Sequence, residues 1–189
     1  MKTDWKLSPE EKMLVAQCTI QDRKAQFEVY QKYSKAMFNI CVRMLGNTEE
    51  AEDVLQDAFL NAFRNMNQFK GQSSLGAWIK RIVVNQCINQ LKKRKLDILS
   101  LEETHYQEPV SEGTDKEDIG LILDIGKIRS AIQLLPDGFR VVFSLYLLEG
   151  YDHQEIAQIL DITESTSKSQ YHRAKKKLRD MLSQQMKAS

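Results

Sequence analysis

Apolar residues along this chain recur at steps of three and four, which predicts helices nearly throughout. The first start signal is Ser8-Pro9-Glu10-Glu11: a hydroxyl at the N-cap, proline at the first helical position and a glutamate placed to close a capping box. Phe27, Tyr30, Ser34, Met37, Cys41 and Leu45 then mark one helical face, and Gly46 supplies a C-terminal stop. Asn47-Thr48-Glu49-Glu50 restarts a helix with acidic side chains at its positive end. Its apolar stripe is Val54, Leu55, Ala58, Phe59, Ala62, Phe63 and Met66. After the loop "KGQSS", Leu75, Trp78, Ile79, Ile82, Val83, Ile88 and Leu91 define another long helix that ends in "KKRK". Residues 1–95 therefore read as one all-helical bundle.

The pattern fails over 96–124, where periodicity is weak and proline, two glycines and many acids accumulate; this is the composition of a linker. It resumes at Ile125, with Ile128, Ile132 and Leu135 on one face. Pro136 opens a further helix carrying Phe139, Val142, Phe143, Tyr146 and Leu147, and Gly150 ends it. The expected architecture is all-α: a helical domain at 1–95, a flexible acidic linker at 96–124 and a second helical domain at 125–189. No internal repeat is visible.

The segment "DHQEIAQILDITESTSKSQYHRAKKKLRDML" divides into two helices around a tight turn. Asp152 caps the first helix with Glu155 as its partner; Ile156, Ala157 and Leu160 face inward, and Ala157 is small where the second helix must pass. Ile162 plugs the corner and Thr163 caps the second helix, whose expected buried stripe is Tyr171, Ala174, Leu178 and Leu182. The other face presents Thr166, Lys168, Ser169, Gln170, His172, Arg173, Lys175 and Lys176. Short polar and amide groups for base edges, followed by cations for phosphates, are what a recognition helix needs. Two residues depart from the usual helix-turn-helix pattern: Asp161 stands where such turns carry glycine, and Ser167 where an apolar residue packs.

Charge sharpens this picture. The net charge of the 189 residues is only +1, yet the charges are segregated. No acidic residue occurs from Ala58 to Leu96, while Arg64, Lys70, Lys80, Arg81, Lys92, Lys93, Arg94 and Lys95 are all basic. From Asp97 to Asp124 the balance reverses, with nine acids against the single Lys116. Such blocks speak about partners more than the sum does. In the basic block Phe69, Trp78 and small polar residues alternate with Lys70, Lys80, Arg81, Asn85, Asn89 and Lys92, which suits a phosphate backbone and an unstacked base. Trp78 shares a stripe with Leu75 and Ile82 and is expected to pack in the core. Asp53, Gln56 and Asp57 share a face of the 50–65 helix beside apolar surface and suit a basic protein partner, whereas Glu49 and Glu50 are expected to do no more than complement the helix dipole.

Cys18, Cys41 and Cys87 are odd in number, widely separated and set among apolar residues, so free buried thiols are expected rather than a disulfide framework or a zinc site. His105, His153 and His172 are isolated and read as non-catalytic. No nucleophile with a base, metal cluster or phosphate-binding loop is visible; no metal, cofactor, catalytic residue or small-molecule substrate is expected. No apolar run approaches a membrane span, and the opening "MKTDWKLSPEEKM" is too polar for export, so a cytoplasmic location is expected.

"NTEEAEDVLQDAFLNAF" followed by "FKGQSSLGAWIKRIVVNQCINQLKKRK" resembles region 2 of bacterial sigma factors, and "LLPDGFRVVFSLYLLEGYDHQEIAQIL" with the helix-turn-helix is similar to region 4. In order and spacing the chain resembles the extracytoplasmic-function group of the sigma-70 family. The resemblance implies a non-catalytic initiation factor that carries core RNA polymerase to promoter DNA. It implies docking of Asp53, Gln56, Asp57, Phe59 and Asn61 on the clamp coiled coil of the largest polymerase subunit. Phe69, Lys70, Gly71, Ser73 and Ser74, with Lys80, Arg81, Asn85, Asn89 and Lys92, would read and melt the minus-10 element. The recognition helix would read the minus-35 element, and the acidic linker would thread the polymerase toward its active site. An anti-sigma factor is expected as a further partner and a stable homo-oligomer is not. A ligand-sensing helix-turn-helix regulator is the competing reading, but it leaves the acid-free block and the acidic helix without purpose.

Overall fold

The computed structural model describes residues 7–94 and 125–187, so the expected linker at 96–124 lies outside the described residues. The chain divides into two compact units, with the division after Arg94. All regular elements among the described residues are helical.

The amino-terminal unit contains α1 (Pro9–Thr19), α2 (Arg23–Leu45), α3 (Thr48–Arg64), a 3-10 turn (Met66–Gln68) and α4 (Leu75–Lys93). Local chemistry sets each start. Ser8 and Glu11 form the expected capping box, with bonds of 3.1 and 3.2 Å. Asp22, Asn47 and Ser74 each accept a backbone N–H at the heads of α2, α3 and α4. Such a cap contributes ~1 kcal/mol. α2 ends at Gly46, whose φ of 70° is open to glycine at little cost.

Helices α2, α3 and α4 pack against one another, and α1 lies against α2, α3 and the 3-10 turn. Met37, Cys41 and Leu45 of α2 are buried as expected, but Phe27 is 60% and Tyr30 37% exposed, and the amino-terminal half buries Ala25 and Val29 instead. Two adjacent rows of this helix are apolar, and spacing does not say which one meets the core. Arg94 ties three helix ends together. Its guanidinium donates to Glu50 Oε1 at 3.0 Å, pairs with the second carboxylate oxygen, and donates to the Leu45 carbonyl at 3.1 Å. Glu50 therefore does more than complement a dipole. All three cysteines are free and buried. Burial, followed by the charges of Asp22 and Glu28, pushes the Cys18 thiol up to about 11; a hydrogen bond with Cys41, then burial, raises Cys87. Cys18 and Cys87 are therefore protonated core residues.

The carboxy-terminal unit contains α5 (Ile125–Gln133), α6 (Asp137–Phe143), a π-helical turn (Ser144–Leu148), α7 (His153–Leu160) and α8 (Glu164–Lys187). Ala131, Ile132, Leu135, Phe143, Ala174 and Leu178 form one cluster of its core, with Ile128, Phe139, Tyr171, Met181 and Leu182 packed around them. Arg140, only 5% exposed, donates to the carbonyls of Gln133 and Leu135 and pairs with Asp137, satisfying the end of α5. The helix expected to run from Pro136 to Gly150 instead widens at Ser144. The wider turn shifts the register: Leu145 is buried, while Tyr146, Leu147 and Leu148 are 37%, 54% and 44% exposed.

Candidate nucleic-acid and protein interfaces

The helix-turn-helix is built from caps at both sides of its turn. Asp152 and Glu155 form the expected box at 2.8 and 2.9 Å. Asp161 ends α7 in the left-handed conformation, φ 59° and ψ 47°, so it takes the backbone geometry for which glycine is usually chosen. The Ile162 N–H then closes the turn on the Ala157 carbonyl at 3.0 Å, and Thr163 Oγ1 accepts from the Thr166 N–H at 3.0 Å.

Ser167 occupies its apolar slot because it has a polar partner inside. Its side chain is fully buried and Oγ lies 2.9 Å from His153 Nδ1. The imidazole stacks on Tyr146, with centroids 4.3 Å apart and planes 13° apart, and Tyr171 closes the box at 4.5 Å from Tyr146. His153 is thus a packing and hydrogen-bonding element of the motif, contrary to its expected isolation. It lies fourteen residues from Ser167, and only the folded turn brings them together. Desolvation, then the nearby Lys168 charge, lowers its pKa from the usual 6.5.

On α8 the structure places Lys168, His172 and Lys176 at the exposed surface and Thr166, Ser169, Arg173 and Lys175 half-buried beside them. Lys168 is paired with Glu164 at 2.7 Å, which holds the Glu164 carboxyl below its ordinary range. Gln170 does not belong to this surface. It is 2% exposed, and Ser167, Gln170, Ala174 and Leu178 form the fully buried row at steps of three, four and four. Its polar character suggested a base-reading amide, but its helical position points it inward. Lys177, which the sequence reading left out, is exposed.

In the amino-terminal unit Asp53, Gln56 and Asp57 are exposed on α3, and Asn61 is half-buried. Phe59 is 2% exposed, with Tyr30 at 4.9 Å and Phe63 at 5.9 Å covering its ring, so it supports this face from beneath and cannot offer itself to a partner. Next to Gln56 a groove of about 340 Å³ opens between α2 and α3, lined by Tyr30, Ser34, Lys35, Phe38, Glu52, Leu55 and Gln56. Leu60, 52% exposed, adds apolar surface to α3. Periodicity does not show the α2 side of this groove, because it sets Tyr30 and Ser34 on the same face as Met37, Cys41 and Leu45, which are buried.

On α4, Arg81, Asn85, Asn89 and Lys92 follow at steps of four, four and three along one exposed face, with Lys80 half-buried beside it. The loop 69–74 enters this helix. Phe69 packs on Trp78 at 5.4 Å, Lys70 and Gln72 are exposed, Gly71 has φ 67°, and Ser73 Oγ donates to the Ser74 carbonyl at 3.3 Å. Ser74 Oγ accepts from the Ala77 N–H at 3.0 Å, so it is committed to the head of α4. Among the described residues no group of three or more His, Cys, Asp or Glu side chains could hold a metal ion, and no helix is long and apolar enough to cross a membrane.

Residues 29–96 match the family model for sigma-70 region 2, and residues 125–178 match sigma-70, region 4. The chain is 32% identical over 169 residues to the ECF RNA polymerase sigma factor SigW of Bacillus subtilis, covering 85% of this chain and 90% of that protein. It is 27% identical over 173 residues to the ECF RNA polymerase sigma-E factor of Escherichia coli, covering 87% and 90%. Among solved structures, the sigma factor RpoE in complex with the anti-sigma factor NepR from Bartonella quintana matches with a TM-score of 0.55 and 21% identity, over 82% of this chain and 95% of that one. CnrH in complex with the cytosolic domain of CnrY matches with a TM-score of 0.54 and 20% identity, over 92% and 97%. With regions 2 and 4 matched in order on its two helical units, the chain belongs to the sigma-70 family, in its extracytoplasmic-function group.

Proposed function

We propose that this transcription initiation factor divides its work between three surfaces. The exposed face of α3, with Asp53, Gln56, Asp57 and Asn61 beside the α2–α3 groove, docks on core RNA polymerase. The loop 69–74 with Lys80, Arg81, Asn85, Asn89 and Lys92 reads and melts the minus-10 element. The α8 face with Thr166, Lys168, Ser169, His172, Arg173, Lys175 and Lys176 reads the minus-35 element. The observation that carries the reading is segregation within one unit: exposed carboxylates and amides on α3, and an acid-free row of cations and amides on α4. A basic protein surface and a phosphate backbone demand these opposite chemistries.

The protein performs no catalysis itself and works in the cytoplasm, where the polymerase is. The family relationship supports control by an anti-sigma factor, the class of partner captured with the Bartonella quintana protein. The test is run-off transcription with core polymerase, paired with core-binding measurements on Asp53→Arg combined with Gln56→Ala. Reversing charge at the dock should weaken core affinity by about tenfold or more while the carboxy-terminal unit stays folded. Unchanged affinity would remove the docking assignment. Tight promoter binding in the absence of core would favour an ordinary regulator.

A further inference from the structure

Loop 69–74 has no regular hydrogen-bond ladder, so its shape comes from what holds it. Two anchors lie toward α4: Phe69 on Trp78, and Ser74 capping Ala77. The third comes from the other end of the unit. The Leu7 side chain reaches Gly71, with Cδ1 3.2 Å from the position a Cβ there would occupy; among the described residues outside Gly71's chain neighbours, Leu7 alone approaches that position within 4 Å.

The way Leu7 arrives there follows from the helix it precedes. The capping box of Ser8 and Glu11 fixes the direction in which the chain enters α1. An apolar residue just before an N-cap usually packs on the fourth helical residue of its own helix. Here that residue is the exposed Lys12, which gives Leu7 no staple partner. The helix behind Leu7 is held too: α1 buries Leu14 and Cys18 and packs against the Met66–Gln68 turn from which the loop departs. Gly71, at φ 67°, lacks a side chain and has more accessible backbone states than any other residue type. A loop with such a residue at its centre needs an outside contact to keep one conformation. The matched family region begins at residue 29, so α1 and Leu7 lie before it.

We propose that Leu7 is a positioning residue that sets the conformation of loop 69–74 and thereby the base preference of this protein at the minus-10 element. The inference rests on the reading that this loop reads that element. Leu7 touches no nucleotide; it acts through Gly71, limiting where Lys70, Gln72 and Ser73 present their polar groups. Discrimination between bases depends on placing such groups to within a fraction of an ångström.

The test uses the full chain with core polymerase on duplex promoters that share one minus-35 element and carry a randomised minus-10 element, with the transcripts sequenced. Leu7→Ala should compress the preference between the best element and its single-base variants by about fivefold, the lower end of what one mismatched base costs. Leu7→Met should restore most of the preference, and core affinity should not change for either. A loop variant, Lys70→Ala with Ser73→Ala, runs alongside. If the loop variant shifts the preference and Leu7→Ala does not, Leu7 has no positioning role. If Leu7→Ala lowers every promoter by the same factor, its role is in folding alone and the proposal fails. If the loop variant also leaves the preference unchanged, the minus-10 reading of the loop itself is wrong. Thermal unfolding of Leu7→Ala and Leu7→Met checks that the temperature of the assay lies below both transitions.

Discussion

In the carboxy-terminal unit the candidate reading surface is one face of α8, a 24-residue helix whose side-chain directions follow from the helix itself. In the amino-terminal unit it is a short loop held by Leu7, Trp78 and its own cap on α4, and extended along the face of that helix. The first surface can be read residue by residue once the buried row is known. The second takes its shape partly from a contact with a residue more than sixty positions away, Leu7, so its selectivity is exposed to changes that never touch DNA. A helix face is expected to lose specificity one contact at a time, and a braced loop all at once.

The largest effect expected is on the frame beneath the loop unit. Arg94→Ala removes the pair with Glu50 and the bond to the Leu45 carbonyl and should destabilise the amino-terminal unit by about 2–3 kcal/mol, since a partly buried carboxylate loses its charged partner. Denaturant unfolding of the amino-terminal unit measures this; equal stability would mean that the two helix ends are held by packing alone. In the carboxy-terminal unit, Gln170→Ala empties a buried position and should cost about 1–2 kcal/mol of stability with the minus-35 base preference preserved. A changed base preference would return Gln170 to the reading face.

A smaller and pH-dependent effect belongs to His153. Its pKa in the folded unit is lowered, so the unfolded chain binds the proton more readily. Stability should hold above the usual 6.5 and fall as pH drops from there toward the folded-state value, levelling off below it. Melting temperatures of the carboxy-terminal unit across that range should show the slope, and His153→Asn should flatten it. The smallest effect is at Asp161, whose left-handed backbone costs ~1 kcal/mol for a residue with a Cβ. Asp161→Gly should raise stability by up to about that amount, less what glycine adds to the flexibility of the unfolded chain, with DNA affinity unchanged. A loss of stability would show that the Asp161 side chain contributes a compensating interaction.

The errors of the sequence reading share one form. Gln170 goes to the reading face by its polar character, and Phe59, although it lies on the apolar stripe of α3, goes to the docking surface by the family resemblance; both are inside. Spacing puts Tyr30 on one helical face with Met37, Cys41 and Leu45, which are buried, whereas Tyr30 stands at the edge of a groove. His153 looks solitary in the sequence because its partners lie on two other elements, Tyr146 on the π-helical turn and Ser167 and Tyr171 on α8. In each case the helix is recognised, and what is missed is its rotation, its neighbour or, for Phe59, the cover that Tyr30 and Phe63 lay over a ring already on the apolar stripe. The π-helical turn at Ser144 adds the same kind of error within a helix, because one extra residue in a turn swings Tyr146 and Leu147 outward without any mark in the composition.

By itself the sequence determined most of the helices, the capping boxes of Ser8 and Asp152, the acid-free block, the turn of the helix-turn-helix and the order of two family regions, because these depend on residues a few positions apart. Only the tertiary structure decided which row of each helix is buried, what Ser167 is doing in an apolar slot, that Arg94 serves the frame, and that Leu7 reaches Gly71. The physical reason is range. Caps and periodicity act over one or two turns, whereas burial and bracing depend on which distant segment the folded chain places alongside, and that is a property of the packed unit as a whole.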